Sequence, residues 1–180
     1  MTTEPPPLDV ERILSTLTRR GVEFLLVGGV AAIAHGARRL TVDLDCLAQR
    51  TYANLDRLAA ALRDLNARVR VEGLDDAEAA LLPVRIDRES LGRMEISTWR
   101  TDAGDFDILA DLPSSDGSRL RYDDLIGRAN TQPLHGITVR VAALDDIIAS
   151  KEWANRPKDH EALDELRRLA SGGGETRDPT

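Results

Sequence analysis

Two aspartates, Asp43 and Asp45, stand two residues apart in the segment LTVDLDCLA (residues 40–48), where apolar and polar residues alternate from Leu40 to Cys46. Such alternation predicts a strand with Leu40, Val42, Leu44 and Cys46 on one face and Thr41, Asp43 and Asp45 on the other. The two carboxylates then point the same way, with Cα atoms about 6.6 Å apart. At that spacing they repel. A hard divalent cation such as Mg²⁺ removes the repulsion, because Mg²⁺ commonly takes one or two carboxylates together with the phosphates of a substrate. A second acidic strand, DFDIL (105–109), offers Asp107. Brought alongside at roughly 4.8 Å, this carboxylate joins the cluster and can accept a proton from an attacking hydroxyl. Gly28-Gly29 lies between a short apolar run, EFLLV (23–27), and a helical stretch. Without Cβ atoms there, backbone N–H groups can approach a phosphate that a helix N-terminus also attracts. Neither a Walker A motif nor GxGxxG is present. Taken singly, each feature is ordinary: Asp-x-Asp fits the polar face of any amphipathic sheet, and Gly-Gly fits any strand-to-helix turn.

The elements that must position these groups follow from periodicity. Val10, Ile13, Leu14 and Leu17 recur at helical spacing with Gly21 as the stop, so residues 10–20 are expected to be a helix. Residues 23–27 read as a buried strand, and a short helix from about Val30 to His35 closes at Gly36. Residues 52–65 carry a stripe of Leu55, Leu58, Leu62 and Leu65. The stretch 68–100 is mostly β-like, at Val69/Val71, Val84/Ile86 and residues 94–99. After the strand at 105–109 come a short helix at 123–129, a strand at 137–141, and helices at 144–153 and 158–169. The fold class is α/β (α+β): a mixed sheet flanked by helices, with a small C-terminal helical part. Expected boundaries are a disordered start at 1–7, the core at 8–142, the helical part at 143–170 and a flexible tail at 171–180.

Composition bounds the function. A chain of 180 residues with 42% hydrophobic and 31% charged residues has room for one domain with an ordinary core. Aromatics are only 3%, so that core must rest on Leu, Ala, Val and Ile. The net charge of −7 excludes a uniformly basic nucleic-acid binder, and any nucleic acid must be held by a local patch. Arg38-Arg39, just before the acidic strand, and Arg19-Arg20 are the candidates for steering a polyanion. Only two of the 24 basic residues are lysines, Lys151 and Lys158, so each marks a place where a compact ammonium could matter. Both are equally explained as solvated cations near helix ends. The single Cys46 cannot form an internal disulfide, the Pro-rich start is unlike a signal peptide, and no apolar run approaches 18 residues. A cytoplasmic protein with no membrane segment is expected.

The order strand-Gly28-Gly29-helix, then Asp43-Leu44-Asp45, then Phe106-Asp107-Ile108 resembles the nucleotidyltransferase superfamily that includes DNA polymerase β. Residues 24–45, with IASKEWANRPKDHEALDEL (148–166), look like the AbiEii and MenT-type nucleotidyltransferase toxins of type IV toxin–antitoxin systems. The resemblance implies that Gly28 and Gly29 contact the triphosphate and that Asp43, Asp45 and Asp107 form the metal site, with Asp107 also activating the acceptor. It implies further that Lys151 reaches the nucleotide phosphates, with Arg156 and Lys158 as neighbouring nucleotide-binding cations. Many members carry Ser after the first glycine, where Gly29 offers only backbone. By the same resemblance the cofactor is Mg²⁺, the co-substrate an NTP, the acceptor the 3′ end of tRNA, the result blocked translation, and the partner a cognate antitoxin. Some related toxins are silenced by phosphorylation of a hydroxyl near the site, which makes Thr41 a candidate by position. Two alternatives remain at this point. The same residues could modify a small molecule such as an aminoglycoside, or a protein; or the chain could be an inactive nucleotide- or antitoxin-binding module.

Overall fold

The computed structural model describes residues 6–172, apart from the side chain of Lys158. Of the stretches expected to be disordered, 1–7 and 171–180, residues 1–5 and 173–180 lie outside the described residues, while Ser171 and Gly172 continue the last helix. The chain begins with α1 (Val10–Arg19), whose N-cap Asp9 accepts a hydrogen bond from the Arg12 N–H, and which ends before Gly21 in a left-handed conformation. Then follow β1 (Phe24–Val27), α2 (Gly28–Ala34), β2 (Asp43–Ala48), α3 (Tyr52–Asp64) and β3 (Arg68–Val69). Two short helices, α4 (Asp76–Ala80) and α5 (Arg88–Arg93), precede β4 (Ile96–Thr101) and β5 (Gly104–Leu109). A two-stranded ribbon of β6 (Leu112–Pro113) and β7 (Arg119–Leu120) leads to α6 (Tyr122–Leu125), extended by a 3₁₀ turn over Ile126–Arg128. The hairpin of β8 (Asn130–Leu134) and β9 (Ile137–Val141) is followed by α7 (Leu144–Ala154) and α8 (Pro157–Gly172).

Seven strands form one mixed sheet in the order β3-β4-β5-β2-β1-β9-β8. Its parallel pairings are β2 with β5 and β1 with β9; the others are antiparallel. The β2–β5 register sets Asp43 opposite Asp105 and Asp45 opposite Asp107. Leu44 and Cys46, the alternate residues of β2, are fully buried in a core that includes Ile13, Leu14 and Leu17 of α1 and Leu55, Leu58 and Leu62 of α3. Trp99 and Phe106 are the large aromatic contributors, and Trp99 donates its indole N–H to the Ser97 hydroxyl at 2.9 Å. Edge strand β8 contains Pro133, which an edge tolerates because one of its sides has no ladder to complete.

Several expected elements end differently. β2 starts at Asp43, not at Leu40: β1 stops at Val27 opposite Asp45, so residues 40–42 have no partner strand. Leu40 is consequently fully exposed and Val42 largely so, although alternation assigns both to the core face. The β-like reading of 84–86 fails because Asp75 and Asp87 cap helices on either side of that stretch. Asp75 and Glu78 form a capping box, and Asp87 accepts from the Ser90 N–H at 2.8 Å. α2 begins at Gly28 itself, two residues earlier than expected. The helix at 123–129 is a single turn continued as 3₁₀, and β6, β7 and β8 are too short or too polar to show a period.

Leu44 holds the strand between the two aspartates from beneath. Leu44→Ala is expected to cost about 2–5 kcal/mol through lost burial and the cavity left behind, lowering Tm by roughly 5–15 °C for a domain of this size, as read by circular-dichroism melts.

Candidate active site

A cleft of about 700 Å³ lies over the acidic ends of β2 and β5 and is lined on its other side by α7 and α8. Asp43, Asp45 and Asp107 all line it, so the sheet register brings the three sequence-predicted carboxylates together. Gly28, Gly29, Thr41, Lys151, Arg156 and Arg39 line it as well.

The glycine turn fits around the aspartate pair. Gly28 has φ +67°, and a Cβ there would sit 2.0 Å from Asp45 Oδ2, so neither its conformation nor its surroundings admit a side chain. The Gly29 N–H favours the charged form of the Asp45 carboxylate. A Cβ on Gly29 would meet Thr41 Oγ1 at 2.5 Å, so the Thr41 hydroxyl fills the space beside the second glycine. That hydroxyl donates to Asp43 Oδ1 at 3.0 Å, with the Asp43 carbonyl oxygen at 3.1 Å.

The cations are distributed unevenly. Arg70, which follows β3, places Nη2 2.9 Å from Asp107 Oδ1 and Nη1 3.4 Å from Asp105 Oδ2. Arg100 on β4 holds Asp105 from the other side at 3.2 Å and reaches Asp76 of α4 at 3.0 Å. On the helical side, Asp159 has a side chain only 1% exposed and gathers two cations. Arg156 Nε stands 2.7 Å from its Oδ2, and Lys151 Nζ stands 3.3 Å from its Oδ1. Among the described residues, no ion pair reaches Asp43 or Asp45; the cations around the cleft pair instead with Asp105, Asp107 and Asp159, and Arg39 with Glu161 and Glu165.

The acid groups titrate accordingly. Burial foremost, then the charges of Asp43 and Asp107, push the Asp45 carboxyl up to about 7 against the small opposing effects of the Gly29 N–H and Lys151. Burial also raises Asp107, which the Arg70 guanidinium only partly offsets. Burial works to raise Asp159 too, but the hydrogen bond from Arg156 and the charge of Lys151 prevail and hold it below the usual carboxylate range.

Among the described residues, no group of three or more His, Cys, Asp or Glu side chains is arranged to hold a metal ion. The Asp43–Asp45 pair nevertheless suits a hard divalent cation. It offers oxygen donors only, it has no ion-pair partner among the described residues, and burial together with the charges of Asp43 and Asp107 leaves the Asp45 carboxyl about half protonated at pH 7.

The remaining sequence candidates are placed as follows. Arg38 gives its backbone N–H to Glu165 Oε1 at 2.9 Å, and the Arg39 guanidinium pairs with Glu161 at 3.2 Å and Glu165 at 3.7 Å on α8. Arg19 and Arg20 both pair with Asp64, and Lys158 stands in the first turn of α8, its side chain outside the described part. His35 Nε2 lies 2.8 Å from the Ala142 carbonyl oxygen, a packing role, and Cys46 is buried. Sequence reasoning gave no role to Arg70, Arg100 or Asp159. Nothing marks Arg70 locally; Asp159, in contrast, follows Lys158 directly in the segment that carries Lys151 and Arg156.

The family model described as "Nucleotidyl transferase AbiEii toxin, Type IV TA system" matches residues 12–168. No curated sequence matches the chain. Among solved structures, the fold is shared with three nucleotidyltransferases. ANT(2″)-Ia in complex with adenylyl-2″-tobramycin is 18% identical, with 91% of this chain and 87% of that chain covered and a TM-score of 0.56. The lincosamide antibiotic adenylyltransferase LnuA, lincomycin-bound, is 12% identical over 91% and 99% of the two chains, at 0.59. A putative nucleotidyltransferase from Thermotoga maritima is 14% identical over 91% of each, at 0.50. No helix among the described residues is long and apolar enough to cross a membrane.

The raised Asp45 carboxyl makes a pH prediction. Its ordinary value is 3.8 and its folded value about 7, so between them the folded chain keeps a proton that the unfolded chain releases. The stabilisation is complete below the lower value and is lost as pH rises through the upper one. Thermal melts from about pH 5 to about pH 8 should show that loss in the wild type and a flatter profile in Asp45→Asn.

Proposed function

The chain belongs to the AbiEii family of nucleotidyl transferase toxins of type IV toxin–antitoxin systems, and we propose that it moves a nucleoside monophosphate from an NTP to the 3′ end of tRNA, blocking translation. The observation that carries the transfer chemistry is the β2–β5 register. It sets the Asp43–Asp45 carboxylates, which have no ion-pair partner among the described residues, beside Asp107 in the cleft that Lys151 and Arg156 also line. A divalent cation, with Mg²⁺ the expected one, would be held by Asp43 and Asp45 and would neutralise charge on the phosphates. Asp107 accepts the proton of the acceptor hydroxyl as its oxygen bonds to the α-phosphorus. The bond from the α-phosphorus to the bridging oxygen breaks in line, and pyrophosphate departs with its electron pair. Lys151 and Arg156, held by Asp159, contact the β- and γ-phosphates as fixed positive charge, and Lys158 adds to it. The Gly28-Gly29 turn admits the triphosphate where any side chain would collide with Asp45 or Thr41.

In this reading Arg38 and Arg39 meet the tRNA backbone, Arg39 exchanging Glu161 and Glu165 for phosphate. Phosphorylation of Thr41, whose hydroxyl lies 3.0 Å from Asp43, would add about two negative charges to an already repulsive pair and silence the enzyme. Such a device suits a toxin whose cognate antitoxin must stop it. A second reading has one observation in its favour. Six carboxylates line the described cleft against four basic side chains, a surplus that suits a cationic acceptor such as an aminoglycoside.

Two measurements separate these steps. NTP with Mg²⁺ is expected to raise Tm far more than either alone, by mass action on the folded state. The Asp43→Asn, Asp45→Asn double variant should fold and lose that shift, whereas Asp107→Asn should keep the shift and lose transfer; a full shift in the double variant would refute the cation site. For the acceptor, each of four labelled NTPs is incubated with total RNA and with an RNA-free extract. Label on tRNA-sized molecules is expected, falling steeply with salt and weakened by Arg38→Glu with Arg39→Glu. Label confined to small molecules or protein would move the assignment to the other acceptors.

A further inference from the structure

Arg70 stands in the cleft without a part in the transfer chemistry. Its backbone N–H donates to the Thr98 carbonyl oxygen at 2.8 Å, and its own carbonyl accepts from the Thr98 hydroxyl. Thr98 lies opposite Asp107 in the β4–β5 ladder, so these two bonds fix the Arg70 backbone within side-chain reach of that carboxylate. One guanidinium nitrogen, Nη2, is 2.9 Å from Asp107 Oδ1 and 3.3 Å from Oδ2. Nη1 reaches Asp105 at 3.4 Å, yet Asp105 already has Arg100. Arg70 Nε is buried with no hydrogen-bond partner, so the fork keeps its outer nitrogens on carboxylates while its inner one goes unsatisfied. The charge of Arg70 is therefore committed mainly to Asp107.

Resting on the reading above, in which a divalent cation binds Asp43 and Asp45 with Asp107 adjacent, we propose that Arg70 is a built-in competitor for that cation. Its guanidinium satisfies Asp107 in the open cleft and gives up part of that carboxylate when the cation draws it toward the Asp43–Asp45 pair. Two cations that seek the same oxygens oppose each other's binding, and the opposition is reciprocal. In the open cleft Asp107 accordingly faces Arg70, although it shares that cleft with Asp43 and Asp45. It also gives the cleft an order of loading. Bare cation is held weakly, and the triphosphate, which brings its own oxygen ligands, makes up the difference, so cation and nucleotide enter together.

Mn²⁺ tests this, because its free electron-spin resonance signal disappears on binding and needs no turnover. Without nucleotide, Arg70→Gln is expected to bind Mn²⁺ at least about fivefold more tightly than the wild type, the lower end of ordinary coupling between sites. Arg70→Lys keeps the charge and loses the forked grip, so a smaller gain of the same sign is expected. It carries the test if the circular-dichroism spectrum of Arg70→Gln is not native. In an Asp107→Asn background the Arg70→Gln gain should vanish. A residue that only braced the site would give the opposite sign. Unchanged or weaker Mn²⁺ binding in the folded Arg70 variants, or an equal gain with Asp107→Asn, overturns the proposal while leaving the cation site standing. Absence of Mn²⁺ binding from wild type and variants alike, with ATP present, overturns the cation site and this inference with it.

Discussion

Like charge on adjacent parallel strands is the constraint around which this molecule is arranged. Asp43 and Asp45 on β2 stand in register with Asp105 and Asp107 on β5, and the alternation of a strand turns all four to one face. Charges this close in a partly buried cleft must each meet a cation, a hydrogen-bond donor or a proton. Asp105 has Arg100 and Arg70, Asp107 has Arg70, Asp43 has the Thr41 hydroxyl, and Asp45 has the Gly29 N–H and a carboxyl raised to about 7. The gradient runs from full ion pairing on the β4 side to almost none beside the glycine turn. Charge left uncompensated at one end of such a row is where a cation and a polyphosphate add most stabilisation.

The second half of the cleft solves the complementary problem. Lys151 and Arg156 bring two positive charges side by side, and these repel. Asp159, buried on the first turn of α8, accepts from both and fixes them in place. Charge-assisted hydrogen bonds to a desolvated carboxylate are stronger than the same contacts in water, so the three side chains behave as one unit. The left-handed Asn155 between the helices turns the chain so that α8 returns along α7, which is what brings Asp159 back to Lys151. Glu161 and Glu165 on the same helix reach Arg39 and the backbone of Arg38, tying the loop before β2 to the C-terminal pair.

Gly29 shows how a departure from a common pattern can be compensated in space. The room beside it is taken by the Thr41 hydroxyl, which comes from the far side of the α2–β2 loop. A polar oxygen thus stands next to the turn although residue 29 has no side chain, and the same contact bars a serine there unless Thr41 moves.

Much of this was legible in the linear chain. Period 2 over the start of 40–48 put Asp43 and Asp45 on one face, helical spacing found α1 and α3, and the order of the three motifs pointed to nucleotidyl transfer. The periods are local properties, set by strand and helix geometry within a few residues; the chemistry came from the resemblance of the motif order to a known family. Residues 40–42 and 84–86 were misjudged because a strand needs a neighbour, and a neighbour is not a local property: β1 ends before it can cover Leu40, and two aspartate caps favour helices around Ile86. The partners of the acidic residues were out of reach for the same reason. Arg70 is 37 residues from Asp107 and Arg38 is 127 from Glu165, and only the sheet register and the return of α8 bring them together. The sequence by itself determined which chemistry-bearing groups exist and which way each faces on its own element. Tertiary structure alone decided which of those charges are already spent on one another and which remain for a substrate, because charge compensation acts through space between segments that no local pattern connects.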